Sequence, residues 1–168
     1  MGLDMYLYLE KEEYKSPYTT SPEDTDLKLE YPESMQKIQD NLNHMGIIPS
    51  VERRTRYKVG YWRKANAIHK WFVDTFVDGE DDCKPIYCDI DELKELLKKC
   101  IKIKITPTCA KTELPTTDGF FFGGTEYDDW YYDRIDDTIT ILTAVIRFIK
   151  EQEAKGDDGW TVVYEASW

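Results

Sequence analysis

MGLDMYLYLE, residues 1–10, alternates without a break: Leu3, Met5, Leu7 and Leu9 on one side, Asp4, Tyr6 and Tyr8 on the other. A period of two marks a strand with one buried face. The far end of the chain does the same over Trp160–Ser167, with Trp160, Val162, Tyr164 and Ala166 alternating with Thr161, Val163 and Glu165. The first and last strands are therefore expected to pair. Asp26–Tyr31 alternates as well, through Leu27, Leu29 and Tyr31, and Pro32 ends it. Residues 11–25, with Pro17, Pro22 and many Ser and Thr, read as a loop.

Between these strands the spacing changes to three and four. Met35, Ile38, Leu42 and Met45 predict a helix over Glu33–Met45 that stops at Gly46. Tyr61, Ala65, Ile68, Phe72 and Phe76 fall on one stripe and predict a helix from about Tyr61 to Phe76, preceded by Gly60. Asp89-Ile90-Asp91-Glu92 has a capping form and opens a helix to about Ile101, with Leu93, Leu96, Leu97 and Cys100 inward. Val77–Tyr87 and Lys102–Thr117 read as loop or extended chain. A last helix begins at Asp133 or Asp136, buries Ile135, Ile139, Leu142, Ile146 and Ile149, and ends at Gly156. The expectation is an α+β fold, a small antiparallel sheet with three to four packed helices, in a single domain over residues 1–168.

Composition narrows the function. The 168 residues carry a net charge of −11, and the 41% hydrophobic content is too rich for a disordered chain. No run of 18 apolar residues offers a membrane span. The N-terminus lacks the basic and apolar regions of a secretory signal, so a cytoplasmic location is expected. The charge is uneven: residues 1–50 have a net of −6, residues 51–72 a net of +6, and residues 73–168 a net of −11. An acidic body disfavours long nucleic acid and anionic membrane. The basic island, VERRTRYKVGYWRKANAIHKWF, interleaves cations with rings and suits a small anion that carries a flat ring. It also suits a basic face paired internally with neighbouring acids.

Candidate ligand contacts follow from that chemistry. Arg53, Arg54, Arg56, Arg63 and Lys64 would meet phosphate, helped by free N–H groups at a helix start near Tyr61 and Trp62. Trp62, Phe121 and Tyr127 would stack on a base. Asn66, His69, Thr116 and Thr117 would hydrogen-bond its edge. Three Phe between Gly119 and Gly123–Gly124, in LPTTDGFFFGGTEYDDWYYD, either plug the core or line a pocket. No nucleophile, zinc-protease or phosphate-loop motif is present, so no catalytic residue is assigned. Cys83, Cys88, Cys100 and Cys109 lack metal-site spacing and read as reduced thiols, Cys88 and Cys100 buried; no metal or cofactor is expected.

MGLDMYLYLE, VGYWRKANAIHKWFV and LPTTDGFFFGGTEYDDWYY together resemble a family of small bacteriophage and prophage proteins without an assigned activity. The resemblance transfers no site residues. It implies a setting: an accessory protein made in the bacterial cytoplasm, of a kind that often neutralises host defence. By analogy, some such proteins are sponges that sequester cyclic-nucleotide signals without cleaving them. A binder of a phosphorylated, nucleotide-like small molecule, with a homo-oligomer allowed, is the leading expectation. The alternatives are an acidic inhibitor of a host protein, carried by the acids of 78–82 and 126–137, and a nucleotide-acting hydrolase resting on His69.

Overall fold

The computed structural model describes residues 2–15, 32–47, 50–157 and 159–168. They fall into two compact units, Met1–Glu10 with Arg56–Trp168, and Lys11–Thr55. The predicted strand Asp26–Tyr31 and most of the loop before it lie outside the described residues.

The architecture is α+β. Strands β1 (Asp4–Lys15), β2 (Val51–Arg63), β3 (Ile86–Cys88) and β4 (Trp160–Ser167) form an antiparallel sheet in the order β2-β1-β4-β3, so the first and last strands do pair. β3 meets β4 with Ile86 opposite Tyr164 and Cys88 opposite Val162. The alternation at the N-terminus does what its period requires. Leu3, Met5 and Leu7 are fully buried, whereas Tyr6 and Tyr8 turn to the other face, where Arg56 lies 3.9 Å over the Tyr8 ring and Lys58 4.6 Å over the Tyr6 ring.

Helices α2 (Asn66–Phe76), α3 (Ile90–Ile105), α4 (Ala110–Glu113) and α5 (Asp129–Glu153) belong to the larger unit. Leu93, Leu96, Cys100 and Ile103 of α3 and Ile135, Leu142, Val145, Ile146 and Ile149 of α5 enter one core with Trp62, Phe72 and Tyr164. Phe72 stacks on Tyr164 at 4.0 Å, joining α2 to the sheet. Helix α1 (Gln36–His44), entered through a 3₁₀ turn at Glu33–Met35, belongs to the smaller unit; Gly46 ends it with φ of +70°.

Four expectations are corrected. The chain from Tyr61 to Arg63 is strand, not helix, and α2 begins at Asn66. Trp62 has strand parity with buried Gly60 and donates its Nε1–H to Thr138 Oγ1 at 2.9 Å inside the core. A Cβ on Gly60 would meet Ile141 Cγ2 at 2.9 Å and Leu7 Cβ at 3.0 Å, so glycine here lets β2 pass under α5 rather than preceding a helix. The segment after Ile101 remains helical to Ile105 because Ile103 extends the buried stripe, and Pro107 then opens a 3₁₀ turn, where a missing N–H costs nothing. Helix α5 starts at Asp129, a turn earlier than expected, since Asp128 accepts from Tyr131 N–H and serves as the N-cap. Finally, residues 11–15 continue β1 and residues 86–88 form β3, both read above as loop. No helix of the described residues is long and apolar enough to cross a membrane.

Candidate functional site

A cavity of about 340 Å³ opens between the first turn of α2 and the first turns of α5. Its α2 wall runs from Lys64 to Ile68; its α5 wall holds Glu126, Asp128, Trp130, Tyr131, Arg134 and Ile135; Thr116, Gly123 and Gly124 close it.

Local sequence explains each wall. Lys64, the residue after β2, takes a left-handed conformation, φ 52°, and its N–H donates to Leu3 O at 2.8 Å. That kink points the chain into α2. The residue at the helix N-cap is Ala65, whose methyl group offers no acceptor to the N–H groups of Asn66, Ala67 and Ile68. An uncapped first turn therefore faces the cavity, carrying the positive end of the helix dipole. Gly123, φ +92°, allows the opposite loop to approach Lys64: a Cβ there would stand 3.0 Å from Lys64 Cβ.

Asn66 fastens this loop. Its Nδ2 donates to Gly124 O at 2.8 Å and Phe122 O at 3.3 Å, and its Oδ1 accepts from Thr117 N–H at 3.2 Å. Thr116 N–H donates to Tyr127 Oη at 3.2 Å, and Thr116 Oγ1 donates to Thr125 O. On the α5 wall the Arg134 guanidinium lies 4.5 Å over the Trp130 ring, and its Nη2 pairs with Asp137 at 3.0 Å. Arg134 Nε is the one buried side-chain polar atom among the described residues without a hydrogen-bond partner. A buried donor left unpaired is costly, so this atom is a point where an acceptor would be welcome. Tyr131 donates to Leu114 O at 2.9 Å, and burial raises its phenol above the usual range.

The residues singled out from sequence separate into groups. Lys64, Asn66 and Thr116 line the cavity, and Thr117 and Tyr127 bind the residues that do. Arg53 and Arg54 pair with Glu13 and Glu12 in the smaller unit. Arg56 pairs with Glu10 at 2.6 Å and Glu165 at 2.7 Å. Tyr61 donates to Asp4 at 2.5 Å, and Arg63 is exposed at the end of β2. Phe121 gives its carbonyl to Leu3 N–H, while Trp62 is wholly buried. Of the island's seven cations, Arg53, Arg54 and Arg56 are thus matched by acids of β1 and β4, Lys70 pairs with Asp74 of α2, and Lys64 is the member at the cavity.

His69 lies in the core, 2% exposed, with Nδ1 2.7 Å from Tyr164 Oη and Nε2 2.7 Å from Asp81 Oδ2. Both ring nitrogens are engaged, and His69 is not in the cavity wall. In the sequence Trp130 stands with Tyr127, Tyr131 and Tyr132 among rings that can stack on a base, whereas nothing singles out Arg134, which falls ahead of the expected last helix. Their spacing of four, once α5 is started at Asp129, is the signal that joins them. No group of three or more metal-ligating side chains gathers among the described residues. In comparisons with known proteins, the chain matches no family model, no curated protein and no solved structure.

Proposed function

We propose that this protein binds and sequesters a phosphorylated, ring-bearing small molecule of nucleotide type in the cavity between α2 and α5, acting in the setting of host-defence antagonism that the phage-like sequence blocks imply. The observation that carries the reading is the meeting, in one cavity, of an uncapped helix start, two cations and an indole: the first turn of α2, Lys64, Arg134 and Trp130. Helix N–H groups and Lys64 supply donors and positive potential for phosphate. Trp130, 48% exposed, supplies a face for a ring. The volume falls in the range of small-molecule sites.

Sequestration and hydrolysis differ in what is recovered. His69, the residue on which a hydrolase would rest, spends both nitrogens on Tyr164 and Asp81. The test is to purify the protein, heat it and identify the released small molecules by mass spectrometry, then titrate the stripped protein calorimetrically. An intact ring-bearing phosphate, bound one per chain and weakened by Lys64→Ala and Arg134→Ala, is the expected result. Recovery of a cleaved product would support an enzyme instead. No released compound together with no heat from any nucleotide tested would overturn the proposal.

A further inference from the structure

We infer that two copies of this chain associate through helix α1, laid antiparallel about a two-fold axis, in a reversible dimer. No residue of the cavity wall takes part. Met35, Ile38, Leu42 and Met45 recur at spacings of three, four and three, the a and d positions of two heptads. They share one stripe, yet α1 buries no residue: Met35 is 37% exposed, Ile38 50% and Met45 70%. A helix of nine residues is marginal in water on its own, so an uncovered apolar stripe on it calls for a partner.

Charge decides what that partner is. The chain carries −11, and a second copy meets repulsion unless the two meeting surfaces are poor in charge. Of the whole chain 33% is charged, but residues 34–47 carry only Lys37 and Asp40, which cancel. At about 100° per residue both lie on the back of α1, with Glu33 and His44. Gln39 flanks the stripe on one side and Asn41 on the other. Amide side chains both donate and accept, so each can meet its own copy. A membrane surface would ask for a basic polar face, and a basic groove on another protein for an acidic one; α1 has neither. In an antiparallel pair Met35 faces Met45 of the second copy and Ile38 faces its Leu42. Every layer is then apolar, and the contact closes on itself. These few layers bury less than the roughly 800 Å² per partner of a stable interface, so the dimer depends on concentration.

Sedimentation of the full chain from about 1 μM to about 1 mM tests this. The chain should pass reversibly from monomer to dimer and no further. Ile38→Glu should raise the dimer Kd at least about tenfold with an unchanged urea midpoint, since α1 adds nothing to the core. Leu42→Lys should do the same. Mixing the Ile38→Glu and Leu42→Lys chains should restore the dimer, because position 38 faces position 42 only when the helices run antiparallel. Should either variant unfold, Gln39→Lys, which sets like charges side by side at the flank, takes its place with the same direction of effect. Monomer at every concentration, a dimer that Ile38→Glu leaves intact, or a mixture that stays monomeric overturns the inference. So does a monomer that floats with anionic phospholipid vesicles and stops floating with Ile38→Glu, which assigns the stripe to a membrane surface.

Discussion

Lys64 carries two burdens in one residue. Its φ of 52° is a conformation that a side chain with a Cβ adopts at a cost of about 1–2 kcal/mol, and it is the lysine that lines the cavity beside the uncapped start of α2. The two are separable by substitution. Lys64→Gly relieves the backbone but adds freedom to the unfolded chain, so stability in urea should stay within about 1 kcal/mol of the parent. Ligand affinity should nonetheless fall, which a purely structural lysine would not cause. His69 gives the opposite pattern. Tyr164→Phe removes the hydroxyl 2.7 Å from His69 Nδ1 and leaves a buried ring nitrogen without a partner, at a cost of about 1–3 kcal/mol in urea unfolding. Since His69 stands outside the cavity wall, affinity measured well below the unfolding midpoint should be unchanged. At this scale the sequence spoke through residue type alone. Asn66 and Lys64 were legible as polar groups beside a helix start, but Asn66 spends its amide on three backbone groups of the facing loop, a pairing that no local pattern reveals.

Elements were read well where one period ran unopposed and poorly where two periods shared residues. Leu3, Met5, Leu7 and Leu9 fit only a strand, and β1 and β4 stand side by side as the alternation at both ends implies. Tyr61, Ala65, Ile68 and Phe72 fit a helical stripe, yet Gly60 and Trp62 also share a strand face, and tertiary packing chose the strand up to Lys64. The three-residue β3 is too short to show a period, and it is fixed by its register with β4. Gly60 tests the packing directly. Gly60→Ala places a methyl group 2.9 Å from Ile141 Cγ2 and 3.0 Å from Leu7 Cβ, on one side a helix side chain and on the other a Cβ fixed to its strand. Overpacking of this kind costs about 1–3 kcal/mol, despite the better strand propensity of alanine. The expected outcome is a lower urea midpoint with an unchanged slope; an unchanged or raised midpoint would mean that α5 lifts off β2 without cost.

Over the whole molecule the net charge of −11 conceals a matched arrangement. Three arginines of the island, Arg53, Arg54 and Arg56, are opposed by Glu10, Glu12, Glu13 and Glu165, so part of what looked in sequence like a surplus of cations is the counterpart of β1 and β4. Charge counting showed the island; only the pairing of strands assigned its partners. The remaining surplus of acid acts on stability through repulsion, which rises with pH and is screened by salt. A second alkaline effect is not screened. Burial pushes the thiols of Cys88 and Cys100 up from about 9.0 to about 12. Above 9.0 the unfolded chain releases these protons and the folded chain keeps them. Raised folded values contribute stability that is complete below the unfolded value and is lost as pH rises towards the folded one. Stability should therefore fall between about pH 9 and 12, with a slope of up to one proton for each thiol, and the buried phenol of Tyr164, raised well above 10.0, adds to it in the same direction. Urea unfolding across this range in high salt removes the surface repulsion and leaves the thiol and phenol contributions. Replacing Cys88 and Cys100 by valine should flatten the slope by up to two protons, while a slope that vanishes with salt alone would assign the alkaline loss to surface repulsion instead.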